Sequence, residues 1–197
     1  MGDAPGSRPP GEGHVVRFPG ATPGRPVDIG RLYDEHGAYL CRVVQRLTGS
    51  REASEDIVQE VFLLAYHRRQ ELEDRQGIRT WLYRVAVNHV RHRRRSFSRY
   101  QGMKDRFQQH PDQERRPDGP DAEAERAEQG REVAACVSKL SDKLREVFVL
   151  YELEELEGNE ISEILEIPIN TVWSRLRLAR AAFREEWARR ARIGGAS

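Results

Sequence analysis

The sequence predicts an all-α protein made of two small helical domains joined by a flexible linker. Three observations point there. Apolar residues recur at three- and four-residue intervals over long stretches, the spacing of amphipathic helices. No stretch sustains the alternation of a strand. Polar, proline-bearing regions interrupt a chain whose 197 residues, 38% of them apolar, supply core enough only for small domains.

Residues 1–26 are rich in Pro and Gly without periodicity and read as a disordered arm. The first domain covers 27–100, where Ile29, Leu32, Tyr33, His36, Leu40, Val43, Val44 and Leu47 mark a helix that Gly49 and Ser50 end. Ser50 can cap a second helix, Arg51 to about Arg69, with an inner stripe of Ala53, Ile57, Val61, Leu64 and Ala65. Phe62, Leu63 and Tyr66 lie off that stripe, on the side of Asp56 and Gln59. Such an apolar patch edged by acid and amide groups is either a partner-binding face or a surface covered by another helix. After the polar loop "QELEDRQG", Ile78, Trp81, Leu82, Val85 and Ala86 place a third helix, with Trp81 on its core side, that runs on into arginines.

Residues 101–130, with three prolines and an excess of acids, read as a flexible linker whose last residues already turn helical. The second domain, 131–192, opens with a helix around Val133, Val137 and Leu140. Ser141 then caps one carrying Leu144, Val147, Phe148 and Tyr151. Ile161, Ile164 and Leu165 form a short apolar face, Glu166 to Pro168 a tight break, and Val172, Leu176, Ala179 and Phe183 the stripe of a last helix. Two short helices across a three-residue break have the spacing of a helix-turn-helix, which helical hairpins that bind nothing share. Residues 193–197 read as a disordered tail.

The net charge of +1 conceals segregation into blocks. His89 to Arg99 holds five arginines and no acid; Glu146 to Glu166 holds eight acids and no Lys or Arg; Arg175 to Arg192 holds seven arginines against Glu185 and Glu186. Basic runs in both domains suit a nucleic-acid partner. Cys41 and Cys136 have neither disulfide-framework nor zinc spacing and read as reduced core residues. No apolar run is long enough to span a membrane and the start lacks a signal-peptide apolar region, so a cytoplasmic protein without membrane insertion is expected. No nucleotide-binding Gly-rich loop, carboxylate cluster or nucleophile triad occurs. His89 and His92 stand three apart without a third ligand. The expectation is a non-enzyme with no cofactor and no metal.

"SEDIVQEVFLLAY", then "IRTWLYRVAVNHVRHRRR", a hydrophilic linker, and "LREVFVLYELEELEGNEISEILEIPINTVWSRLRLAR" together resemble an extracytoplasmic-function (ECF) sigma factor of bacterial RNA polymerase, of the sigma-70 family. The likeness covers about residues 28–100 and 131–190, as sigma regions 2 and 4. It implies a subunit that binds core RNA polymerase and promoter DNA, recognises −35 and −10 elements and assists melting. It also implies an anti-sigma protein as partner, through which the chain can be held at a membrane.

By that resemblance Asp56, Gln59, Glu60, Val61, Phe62, Leu63 and Tyr66 form the core-polymerase-binding surface. Arg79, Arg84, Asn88, Arg91, Arg94 and Arg95 contact the −10 region, the last two, with Arg93, holding phosphates. The loop Glu71 to Ile78 would receive a flipped base. Asn170, Thr171, Trp173, Ser174, Arg175, Arg177 and Arg180 face the −35 element, with Arg177 the preferred base reader and Arg175 and Arg180 suited to phosphates.

Two departures from the family pattern stand out. Glu166 occupies a turn position where glycine is usual, so a left-handed backbone there would cost about 1–2 kcal/mol. The loop "EELEGNEIS" is unusually acidic, with Asn159 where a capping Ser or Pro is common; it faces polymerase or weakens promoter affinity. Trp173 falls off the core stripe, with Arg177, Arg180 and Arg184, and two readings stand: packing on the arginine stems, or contact with a thymine methyl or sugar edge. Competing functions are a stand-alone helix-turn-helix regulator, which leaves the Asp56 to Tyr66 face unexplained, and a nuclease using His89 and His92, against which the absence of clustered carboxylates argues.

Overall fold

A computed structural model describes residues 27–69, 72, 77–104 and 121–194, and all secondary structure among them is helical. The arm expected over 1–26, the middle of the expected linker, most of the loop at 71–78 and the last three residues lie outside this set.

Helix α1 (Ile29–Thr48) starts at Asp28, whose carboxylate accepts the Arg31 N–H at 3.2 Å, and ends at Gly49. Gly49 adopts φ 77°, the left-handed conformation that closes helices and favours glycine, and its N–H donates to the Gln45 carbonyl at 2.7 Å. Ser50 caps α2 (Arg51–His67) by accepting the Ala53 N–H at 3.2 Å. Helix α3 (Ile78–Lys104) runs through the arginine block. Leu40, Val43, Val44 and Leu47 of α1, Ile57, Val61 and Ala65 of α2, and Trp81, Leu82, Ala86 and Val90 of α3 interlock as the first core. Each fully buried aliphatic contributes about 1.5–3 kcal/mol relative to exposure.

Helix α4 (Asp121–Lys139) begins well inside the stretch expected to be linker, and α3 extends four residues into it. The composition explains the first difference: "DAEAERAEQ" is built largely of strong helix formers. Helix α5 (Asp142–Phe148) follows, and here the expected Ser141 cap is corrected: its hydroxyl makes no capping bond. Its carbonyl accepts the Leu144 and Arg145 N–H groups at 3.0 and 2.8 Å. The Arg145 guanidinium instead closes α4, donating to the Val137, Ser138 and Leu140 carbonyls at 3.0, 2.7 and 2.8 Å.

A π-helical turn, Val149–Leu153, continues α5, a widening the periodicity did not reveal. It keeps Leu150 and Leu156 buried on either side of an acidic bend in which Glu155 is left-handed at φ 55°. Helix α6 (Gly158–Leu165) begins after Glu157, whose N–H donates to the Glu160 carboxylate at 3.1 Å, one arm of a capping box. The turn to α7 (Ile169–Gly194) passes through Glu166 at φ 55°, ψ 47°, left-handed as its position predicts. The Ser162 hydroxyl donates to the Ile167 carbonyl at 2.6 Å and the Ile167 N–H to the Ser162 carbonyl at 3.2 Å, holding that turn.

The two helical groups pack against each other. Helix α6 lies along α3 and the π-helical turn against α1, and the buried apolar residues of both groups form one contiguous cluster.

Candidate nucleic-acid interface

The first arginine-bearing surface is a face of α3. Arg84, Asn88, Arg91 and Arg95 recur at four-, three- and four-residue intervals and so share one side of the helix. Arg91 is half-buried and forks onto Glu146 of α5, donating through Nε at 2.9 Å and Nη2 at 2.7 Å. That bond to a carboxylate pushes the Arg91 pKa above its ordinary value. Arg94 donates to Asp142 at 2.7 Å and to the Leu47 carbonyl at the end of α1. Arg84 donates to the Glu163 carbonyl at 3.1 Å, with Glu166 at 4.0 Å, and Arg79 donates to Glu160 at 2.5 Å. Asn88 is exposed and makes no side-chain hydrogen bond among the described residues. The resemblance thus names six −10 contacts, and four of them lie against the second helical group.

The second surface is the start of α7. Asn170, Ser174 and Arg177 are exposed and Thr171 half-exposed. Arg177 has no ion pair among the described residues, so its guanidinium is presented to solvent. Arg180 is exposed, donates to Glu152 at 2.6 Å and lies 5.4 Å over the Tyr151 ring. Arg175 is placed differently from its neighbours. It lines an open cleft of about 500 Å³ between the groups, together with Arg91, Arg94, Arg95 and Lys143, the carboxylates of Asp142 and Glu146, and the apolar Leu165 and Ile167.

Trp173 makes aromatic and backbone contacts that the sequence did not point to. Its ring meets Tyr151 edge-on, with centroids 5.6 Å apart, and covers Gly158 at the start of α6. A Cβ at position 158 would stand 2.6 Å from Trp173 Cη2, inside any real contact distance. Tyr151, not Trp173, carries the Arg180 guanidinium. The indole remains 44% exposed at the edge of the α7 face.

The third surface is the outer side of α2. Leu63 and Tyr66 are 60% and 50% exposed, a contiguous apolar patch. Gln59 is exposed beside them. Asp56 accepts from Arg93 at 2.9 Å, and Glu60 is hydrogen-bonded to His89 at 2.7 Å. Phe62 is corrected from this patch to the core: it is 6% exposed and meets Tyr33 edge-on at 4.9 Å, because its position also faces α1.

Sequence reasoning missed five residues. Glu146 and Glu154 are buried carboxylates, 2% and 7% exposed. Glu154 accepts from Arg46 of α1 at 2.5 Å, and its carbonyl accepts from the Tyr39 hydroxyl at 3.1 Å. Burial and that contact push the Tyr39 pKa up to about 12. Arg145, Arg46 and Gly158 completed their contacts only in three dimensions. One available signal was that Glu146 stands three and four residues from the apolar Val149 and Leu150, on their side of the helix. Among the described residues no three His, Cys, Asp or Glu side chains converge as a metal site, and no helix is long and apolar enough to cross a membrane. The thiols of Cys41 and Cys136 are free.

Comparison with known proteins matches residues 32–100 to sigma-70 region 2 and residues 130–183 to sigma-70 region 4. The Bacillus subtilis ECF RNA polymerase sigma factor SigW is 30% identical over 165 residues, covering 81% of this chain and 87% of its own length. The Mycobacterium tuberculosis ECF RNA polymerase sigma factor SigL is 32% identical over 173 residues, covering 86% and 94%. Among solved structures, CnrH in complex with the cytosolic domain of CnrY superimposes with a TM-score of 0.57 at 25% identity, over 80% of this chain and 85% of that one. The sigma factor RpoE of Bartonella quintana, solved with the anti-sigma factor NepR, shares the fold with a TM-score of 0.63 at 20% identity, over 81% and 96%.

Proposed function

The chain belongs to the ECF RNA polymerase sigma factors, and from that premise we propose how its surfaces divide the work of promoter-specific initiation. The sigma factor binds core RNA polymerase and directs it to promoters. In our reading Leu63 and Tyr66 are the apolar anchors on core, with Gln59 beside them and Asp56 and Glu60 steering toward a basic partner. The α3 face holds the −10 strand: Asn88 offers an amide between the cations of Arg84 and Arg91, and Arg79, Arg94 and Arg95 neutralise phosphates. Helix α7 enters the major groove at the −35 element, with Asn170, Thr171, Ser174 and Arg177 toward base edges and Arg175 and Arg180 toward phosphates. The chain performs no covalent chemistry; melting draws on binding free energy alone. An anti-sigma protein is the natural regulator of these same surfaces.

The observation that carries this reading is the presence in one chain of an arginine-faced α3 and a helix-turn-helix whose first turns are exposed. A stand-alone helix-turn-helix regulator accounts for the second and leaves the region 2 match without a role. The test is transcription with purified core polymerase and a template carrying the cognate promoter. Specific transcripts that require the chain are expected; failure to co-purify with core overturns the reading.

A further inference from the structure

Tyr151 belongs to neither arginine-bearing surface, yet its ring meets two residues of the α7 face. We propose that Tyr151 is a positioning residue for promoter recognition: its ring holds the Arg180 guanidinium in the pose that meets a phosphate of the −35 element. This role rests on the assignment of α7 to that element.

Trp173 and Arg180 stand seven residues apart, two turns or about 10 Å along one side of α7. Arg177, which has no ion pair among the described residues, lies between them on that side. Tyr151 reaches both ends of this stretch. Trp173 meets its ring edge-on, with planes at 81° and centroids 5.6 Å apart, while Arg180 Cζ stands 5.4 Å from the ring centroid. Trp173 in turn covers buried Gly158, where a side chain would collide with the indole. Gly158, Trp173 and Tyr151 thus form a packed series that ends on the Arg180 guanidinium.

The ring is carried by the π-helical turn, in which Val149 and Leu150 stay fully buried, Tyr151 is half-buried and Glu152 is exposed. Such turns occur frequently at functional sites. Glu152 accepts from Arg180 Nε at 2.6 Å, so the guanidinium is held by a carboxylate at Nε and by the face of a ring. An arginine held in this way has already lost rotamer freedom that a free side chain loses on meeting a phosphate. The phosphate contact then fixes the register in which neighbouring side chains meet base edges.

The experiment measures holoenzyme binding to a cognate promoter fragment as salt is raised. It compares the parent chain with Tyr151→Phe, Tyr151→Leu, Arg180→Ala and Tyr151→Leu/Arg180→Ala, with urea midpoints of the free chains read in parallel. Arg180→Ala should make the dependence of log K on log salt shallower by about 0.9, the share of one phosphate. Tyr151→Leu keeps apolar bulk and removes the aromatic face; it should weaken binding about two- to fivefold and also make the slope shallower. Tyr151→Phe keeps the face and should match the parent in both. The double variant should have the slope of Arg180→Ala, and the Tyr151 change should cost less there than in the parent, as expected of residues that act through one another.

Equal losses in both backgrounds overturn the proposal, as does Tyr151→Phe binding as weakly as Tyr151→Leu. A lower urea midpoint for Tyr151→Leu with an unchanged salt slope assigns the ring to packing alone and overturns it too. Arg180→Ala with the parent's slope removes Arg180 from the phosphate contacts, and the role of Tyr151 falls with it. Parent holoenzyme that binds without regard to the −35 sequence is a separate result, which counts against the assignment of α7 itself and takes the positioning role with it.

Discussion

Helices α3 and α7 are two arginine-rich rods of almost equal length, 27 and 26 residues, and the fold treats them oppositely. Along α3, the arginines at 79, 84, 91 and 94 are occupied by groups from the other half of the chain. At the start of α7, Asn170, Ser174 and Arg177 meet solvent. Composition alone makes both rods polyanion-binding surfaces; whether a partner can reach them depends on what packs alongside. The α3 rod carries the burden of a buried acid, Glu146, whereas the α7 rod is braced from behind by an aromatic contact, Trp173 on Gly158 and Tyr151.

The sharpest way to break this contrast is Arg91→Met, which removes the forked partner of buried Glu146. Stranding that carboxylate costs the packing of the two groups about 3–5 kcal/mol. Calorimetry should show the two helical groups melting as separate transitions, where the parent chain melts with them coupled. On the α7 side, Gly158→Ala forces a methyl into the Trp173 ring and should destabilise by about 1–3 kcal/mol in urea titrations. The same change in a Trp173→Ala background should be close to neutral, a coupling that a simple loss of helix-start flexibility would not produce.

Arg177→Ala tests the open face as a reader. It should lose roughly 1–3 kcal/mol of discrimination at one base position of the −35 element, measured by holoenzyme binding to single-position variants, with stability unchanged. Smallest is the acid response of α7. Glu186 accepts from Arg189 at 2.6 Å and from Arg190 at 2.9 Å, and the Arg189 bond leads in holding its pKa down at about 2 against an ordinary 4.5. A depressed carboxyl stabilises above its unfolded pKa, so this contribution is complete above pH 4.5 and fades as pH falls toward 2. Glu186→Gln should flatten that part of the acid titration of helicity.

The helices were legible because burial follows the 3.6-residue period, and the Ser50 cap and the Gly49 stop follow from local backbone chemistry. The left-handed Glu166 was legible only through the resemblance, whose pattern puts glycine at that turn position. What escaped were properties set by a neighbour distant in sequence. Phe62 sits on a wheel between an outer patch and α1, and only the packing angle of α1 decides that Tyr33 covers it. Trp173 was rightly excluded from the core stripe, yet its partner Gly158 lies across a turn. The acids from Glu146 to Glu166 were visible as a block, but nothing in their spacing named α3 as the surface they meet.

The three tryptophans give the molecule its own optical readout. Trp81 is 7% exposed inside region 2 and Trp173, at 44%, stands at the edge of the outer face of α7, while Trp187, at 38%, stacks on Phe183 at the far end of the inner stripe. By burial, emission from Trp81 is expected at the blue edge and emission from Trp173 at the red. A ligand arriving at the −35 face alters the red edge, and loosening of the region 2 core alters the blue. Recognition and folding in this protein can therefore be followed in one unlabelled spectrum.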